Sequence, residues 1–270
     1  MEILTPNSDW RMSLERKDNT CGYSRGNCVL IASEFNTSDF SRQAGVVASE
    51  VCGTAQWSSK KVERVLLLRQ CNIDLVQLNF DIAQARTRKQ YSPMSPAGYR
   101  RTQNASGEWP CIRCAAFKSV DDFYDYRKHK GGVSSYCKDC TRQCHREYGQ
   151  TLRGNVLVLL GSAKKNSKLR GQIFALKLDD VLAMLRIQAG RCFYSGVPVQ
   201  YKQRHTHWRM SLERVDNSIG YLKDNTVLIA IEFNTADHSR NTATTQVFGT
   251  AQWSRSKAAQ VWGKYCQEDT

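Results

Sequence analysis

Residues 208–240 read WRMSLERVDNSIGYLKDNTVLIAIEFNTADHSR. The run MSLER has strand character, and the Asp-Asn and Gly-Tyr pairs after it are turn formers. NTVLI is a second, β-branched strand, and Glu-Phe-Asn-Thr opens a helix. The stretch therefore predicts a β-hairpin followed by a helix, with an acid, Glu213, ending the first strand and an amide, Asn234, on the helix.

The same pattern stands at residues 10–42, WRMSLERKDNTCGYSRGNCVLIASEFNTSDFSR, aligned without gaps and identical at 23 of 33 positions. After a two-residue length difference the match resumes, GTAQWS at 53–58 answering GTAQWS at 249–254. Repetition at this level marks a duplicated module. The surroundings differ. Before the second copy lies an apolar helical stretch at 176–189, with Leu178, Val181, Leu182 and Leu185 at helical spacing behind Asp179 and Asp180. Then comes GRCFYSGVPV at 190–199, which reads as a strand and turn. Only residues 1–9 precede the first copy, so that copy is either truncated or completed from elsewhere in the chain or from a partner.

Between the copies, residues 60–85 read as mainly helical and 90–109, with two Ser-Pro pairs, as a linker. The chain thus divides into a first copy at 1–61, a helical segment and linker at 62–110, a metal module at 111–150 and a second, more complete copy at 151–270.

Cys111, Cys114, Cys137 and Cys140 carry the metal module with the spacing C-x2-C-x22-C-x2-C. A CxxC pair on a tight turn supplies two thiolates at the separation zinc requires, and two such pairs close one tetrahedral site. Cys144 and His145 lie close enough to compete for the place of Cys140. The chain has eleven cysteines, an odd number, and its N-terminus lacks the basic and apolar regions of a signal peptide, so a disulfide framework is the poorer reading. No run of about 18 apolar residues predicts a membrane span, and the expected location is intracellular.

The net charge is +14. From residue 86 to residue 170 there are 18 Lys or Arg against 6 Asp or Glu, which leaves 12 of the 14 net charges in under a third of the chain. Aromatic residues interleave with these cations, the footprint of a polyanion binder. Arg127, Lys128, Lys130, Lys164, Lys165, Lys168 and Arg170 are the candidate nucleic-acid contacts.

Acid and amide oxygens at the two ends of a hairpin-helix unit suit one Mg2+ or Mn2+, a hard cation that keeps waters for exchange with phosphate. Such an ion stabilises a leaving oxygen while a base activates water. SLER-x-DN-x-x-GY, the later Asn-Thr and the upstream C-x-Y-S-G-x-P resemble the HNH (ββα-metal) endonucleases of phage recombination and homing systems. The module of form CxxC, Lys, Phe, then CKxC resembles the zinc ribbons that accompany them in phages and large viruses. The resemblance covers roughly residues 111–241, and 10–42 for the first copy. It implies an α+β chain of duplicated ββα-metal modules with a four-cysteine zinc ribbon between them, and cleavage of DNA phosphodiester bonds.

Position by position, the resemblance makes Glu213 and Asn234 the ligands of the catalytic ion, supported by Asp237; in the first copy these are Glu15, Asn36 and Asp39. Where the family places its general-base histidine, this chain has Arg214, and Arg16 in the first copy. Arginine stays protonated, so it serves as a phosphate clamp and not as a base. His207, His205 and His238 are the candidate bases in that order, with Tyr221 behind them. Their counterparts Asp9, Asn7 and Phe40 carry no imidazole, which favours the second copy as the cutting one and the first as degenerate. Double-stranded DNA is the expected partner, cut by a homodimer or by the two copies as an intramolecular pseudo-dimer. The rival expectation is a nucleic-acid-binding protein, viral or ribosome-associated, that keeps the scaffold without cleavage.

Overall fold

The structure, a computed structural model, describes residues 10, 12–17, 21–36, 57, 59–87, 101–126, 132–202, 207–216, 218–234 and 253–265. Along the chain come strands β1 (Met12–Arg16) and β2 (Cys28–Ala32), then helices α1 (Ser59–Gln70) and α2 (Leu75–Arg86). Short strands β3 (Trp109–Pro110), β4 (Phe117–Lys118), β5 (Phe123–Asp125) and β6 (Val133–Cys137) come next, with helices α3 (Lys138–Gly149), α4 (Leu152–Leu169) and α5 (Leu178–Ile187). Strands β7 (Met210–Arg214) and β8 (Thr226–Ala230) and helix α6 (Arg255–Trp262) complete the order. The fold is α+β, and every sheet among the described residues is a two-stranded antiparallel pair.

The two copies of the repeat form hairpins of the same register. Met12 faces Ala32 and Arg16 faces Cys28 in one; Met210 faces Ala230 and Arg214 faces Thr226 in the other. Identity extends to the strained entry residue, since Trp10 and Trp208 hold φ of 63° and 62°, a left-handed conformation uncommon outside glycine. The conformation aims each backbone N–H at a buried carboxylate downstream, Glu34 at 3.1 Å and Glu232 at 2.9 Å.

The segment after each hairpin packs on the opposite copy as well as on its own. Trp57, after the first copy, lies 5.9 Å from Trp208 and 5.1 Å from Phe233. Trp253, after the second, lies 5.9 Å from Trp10 and 5.3 Å from Phe35. Buried ion pairs repeat the exchange. Lys61 of α1 reaches Glu232 at 3.4 Å, and Lys257 of α6 reaches Glu34 at 3.0 Å. Contacts in which i meets j′ and i′ meets j are the isologous kind found between subunits of a symmetric dimer, here made within one chain. Trp262 joins the shared aromatic core and donates through its indole N–H to the Val62 carbonyl at 2.8 Å.

A helical layer backs the second hairpin. On α4 the residues Leu152, Val156, Leu160, Ala163 and Ser167 are buried, a stripe at spacings of four and three that turns Lys164, Lys165 and Lys168 to solvent. Thr151 caps that helix by accepting from the Gly154 N–H at 3.1 Å. On α5, Val181, Leu182 and Leu185 are buried, and the Asp180 carboxylate accepts from the Lys177 N–H at 2.8 Å. The segment expected to be mainly helical over 60–85 is two helices, broken at Cys71 and restarted where Asp74 caps α2 by accepting from the Gln77 N–H at 2.9 Å. Both belong to the main core through Val65, Leu78, Ile82 and Ala85. Beyond β8, the described chain forms a single 3-10 turn, Ile231–Phe233, and its description stops at Asn234.

Residues 190–199 form a tight knuckle. Cys192 N–H donates to the Val197 carbonyl at 2.8 Å and Gly196 N–H to the Cys192 carbonyl at 2.8 Å, with Gly196 at φ 75°. The metal module builds the same turn at its first CxxC, with Cys111 N–H to the Ala116 carbonyl at 2.9 Å and Ala115 N–H to the Cys111 carbonyl at 2.8 Å. That module has its own small core of Cys111, Phe123, Val133, Cys137 and Cys140. Among the described residues no helix is long and apolar enough to cross a membrane.

Candidate functional site

Strand alternation puts Ser211 and Glu213 on one side of β7. Asn234 is brought to that side by its amide, whose Nδ2 donates to the Ser211 hydroxyl at 2.8 Å and to the Leu212 carbonyl at 3.0 Å. These bonds fix the amide nitrogen against the strand and turn the carbonyl oxygen away from it. The first copy repeats the arrangement, Asn36 Nδ2 lying 2.8 Å from the Ser13 hydroxyl and 3.1 Å from the Leu14 carbonyl. Glu213 and Glu15 are both buried. A carboxylate withdrawn from water is stable only beside donors or a cation. One carboxylate and one amide oxygen are the hard donors Mg2+ accepts when water completes its shell.

Arg214 takes the other side. Its Nη1 donates to Gln172 Oε1 at 2.5 Å and to the Ile219 carbonyl at 3.1 Å, and its guanidinium lies 5.3 Å from the Tyr221 ring centre. Arg16 does the same in the first copy, over Tyr23 at 5.0 Å and bonded to the Cys21 carbonyl at 3.1 Å. These contacts brace the turn between the hairpin strands and do not bring either arginine to the acid. Asn225 braces the same turn, donating to the Asp216 carbonyl at 2.9 Å and the Gly220 carbonyl at 3.0 Å.

His207 is likewise elsewhere. Its Nδ1 lies 2.9 Å from Lys61 Nζ and 3.3 Å from Glu232 Oε1, inside the cross-copy junction. It precedes Met210, from which Glu213 is about 10 Å further along an extended strand. Glu232 is fully buried, and burial alone raises a carboxyl's pKa; the His207 hydrogen bond, the Lys61 charge and the Trp208 N–H outweigh it and hold Glu232 below the usual carboxylate range. Tyr221 is buried beneath Arg214, its ring 6.3 Å from Phe174. His205, His238, Asp237 and Asp39 lie outside the described residues, as do Arg127, Lys128 and Lys130. Lys164, Lys165, Lys168 and Arg170 are exposed along the C-terminal half of α4 and just past it.

The metal centre is the best-formed constellation. The four sulfurs of Cys111, Cys114, Cys137 and Cys140 lie within 4.8 Å of one another. Zinc-sulfur bonds of about 2.3 Å place tetrahedral sulfurs about 3.8 Å apart, inside that limit. Cys137 ends β6 and caps α3, and its own N–H donates to Cys111 Sγ at 3.3 Å. Burial pushes the Cys111 thiol up, but the backbone N–H groups of Cys114, Cys137 and Arg113 outweigh it and bring the thiol down to about 6. Burial, followed by the neighbouring thiols, pushes Cys140 well above the ordinary thiol range, as expected of four sulfurs that cannot all ionise without a cation. Cys144 is hydrogen-bonded to Arg113 instead, and Arg113 pairs with Glu147 at 2.7 Å, so Cys140 is the fourth member of the cluster. The donor set fits zinc. No family model matches the chain, and no curated protein or solved structure matches it.

Proposed function

We propose that the chain is a metal-dependent endonuclease of the HNH (ββα-metal) type acting on double-stranded DNA, with a structural zinc in the four-cysteine module. The observation that carries the proposal is the twinned acid-amide pair. Glu213 with Asn234, and Glu15 with Asn36, stand on matching hairpins, and each amide is held by a Ser hydroxyl at 2.8 Å. Both glutamates are buried on matching strands, and a carboxylate with an amide oxygen is a donor set that a divalent cation accepts with water completing its shell. Such an ion, when bound, supplies charge stabilisation at the phosphate and an activated water.

The chain's own contribution is placement. Ser211 and the Leu212 carbonyl orient the amide, and Glu213 offers the anionic oxygen. The exposed Lys164, Lys165 and Lys168 on α4, with Arg170 just past it, give the polyanion a place to lie. The role of general base falls to His205 or His238, outside the described residues, because His207 is committed to Lys61 and Glu232.

A second reading, a nucleic-acid-binding protein without cleavage, draws on one observation. The residue at the family's base position is an arginine engaged with Gln172 and Tyr221 on the side away from the acid. A nicking assay on supercoiled plasmid separates the two. Relaxation with Mg2+ or Mn2+ that EDTA stops supports the nuclease; retained binding with intact plasmid in every metal supports the binder.

A further inference from the structure

Four residues identical in the two copies occupy opposite environments. Met210, Leu212, Tyr221 and Leu228 are 2%, 5%, 9% and 0% exposed, whereas their counterparts Met12, Leu14, Tyr23 and Leu30 are 48%, 46%, 66% and 65% exposed. In the second copy α4 lies against β7, and α5 with the knuckle after it lies against β8. The Gln188 side chain grips Leu228 from both directions, Nε2 donating to its carbonyl at 2.7 Å and Oε1 accepting from its N–H at 2.9 Å. Phe193 N–H adds a bond to the same carbonyl at 2.9 Å. Leu228 thus turns both backbone groups away from β7, and the shared register turns those of Leu30 outward at the edge of β2.

The path of the chain before α5 agrees. A Cβ on Gly220 would stand 1.9 Å from the Ile173 carbonyl oxygen, while one on Gly22 meets nothing within 4 Å. The first hairpin keeps the side chains and the backbone of a covered sheet, and among the described residues nothing covers it as α5 and the knuckle cover the second.

We propose that this bare face is the docking site for a polypeptide segment of another protein shaped like α5 and its knuckle. Such a segment is an amphipathic helix with aliphatic residues toward Met12, Leu14 and Leu30, an amide side chain just past the helix, and a tight turn whose N–H bonds the β2 edge. Two arguments select this occupant. The described chain has one helix-knuckle unit for two hairpins, so exchange of that unit between copies always leaves one hairpin bare. A face of two five-residue strands also measures about 16 Å by 10 Å, far below the roughly 800 Å² per partner that a stable dimer buries. Face-to-face packing of two copies therefore does not meet the requirement, whereas a helix with a turn covers both face and edge. The inference is independent of whether the chain cuts DNA.

The probe is a fluorescein-labelled synthetic peptide of residues 176–199, titrated with the full chain and followed by anisotropy. Because the peptide orders on binding, saturation is expected in the range of about 10 to 100 µM. Leu14→Asp and Leu30→Asp, at exposed positions outside the core, should each weaken it roughly tenfold or more. Exchange of the Leu30 amide proton should slow when the peptide is present. No binding up to about 1 mM, or binding indifferent to Leu30→Asp, overturns the proposal, the latter by showing that the peptide enters elsewhere. Concentration-dependent dimerisation in sedimentation that Leu30→Asp abolishes overturns it in favour of a second copy.

Discussion

Lys61 and Glu232 are both fully buried, lie 3.4 Å apart, and come from opposite copies of the repeat. The mirrored pair, Lys257 with Glu34, closes at 3.0 Å. A charge moved out of water is tolerated only while its partner stays, so these two contacts make each half of the chain conditional on the other.

Lys61→Met should destabilise the protein by about 3–5 kcal/mol, because it strands Glu232 in the aromatic core. Lys61→Met combined with Glu232→Gln should recover much of that loss. Chemical denaturation of the single and double variants checks both, and full additivity of the two changes would count against the pair.

Acid should act through the same contact. The Glu232 carboxyl is held below its ordinary value in the folded chain, so its contribution is complete above the unfolded carboxylate range near pH 4.3 and is lost as pH falls through the lowered folded value. Thermal midpoints measured between pH 6 and pH 3 should therefore fall more steeply for the native chain than for Glu232→Gln.

One zinc per chain is expected in protein purified without chelator, because thiolate coordination supplies folding free energy to a module with only a five-residue core. Cys111→Ser should lose the metal and unfold the module locally, whereas Cys144→Ser should retain it. Metal analysis of the two variants shows whether Cys144 belongs to the ligand set.

If the chain cuts DNA, Glu213→Ala and Asn234→Ala should each lower nicking by about a hundredfold or more, without a matching loss of stability. Glu15→Ala should change the rate by less than about tenfold, since histidines accompany only the second copy in sequence. Equal losses in Glu15→Ala and Glu213→Ala would show instead that both hairpins cut.

Neutralising Lys164, Lys165, Lys168 and Arg170 together should flatten the salt dependence of DNA binding, by about 0.9 in the logarithmic slope for each phosphate contact removed. Their exposure on α4 and just past its end makes the four substitutions structurally mild. An unchanged slope moves the binding face away from this helix.

Local features are legible in the sequence. Hairpin register follows from an alternating run and a turn of set length, and the cluster of four cysteines follows from spacing within a short loop. The site's clamp is half legible. The pattern picks out Asn234 as a ligand but not its bonds to Ser211 and the Leu212 carbonyl, because MSLER gives no sign of which hydroxyl meets which amide. The crossed Lys-Glu pairs leave no trace in the sequence. A lysine behind Gln-Trp-Ser reads as a solvated helix face, and nothing local says that its partner stands in the opposite copy. His207 reads as a base for want of that information, since its environment is set by a helix from the other half of the chain. The bareness of the first hairpin is not legible in its first strand, MSLER, which is identical to that of the covered one.

The bond between Lys257 and Glu34 spans 223 residues. At translation rates of about 5–20 residues per second, the first hairpin waits on the order of ten to forty seconds on the ribosome before its buried acid meets a cation. During that interval Trp10 and Phe35 lack Trp253, and Phe35 lacks Trp262, so the nascent chain presents aromatic surface that is covered in the finished fold. Protease susceptibility of ribosome-bound chains should therefore persist past residue 234 and fall only when α6 has cleared the exit tunnel; protection arriving with the first hairpin alone would show that the halves fold separately.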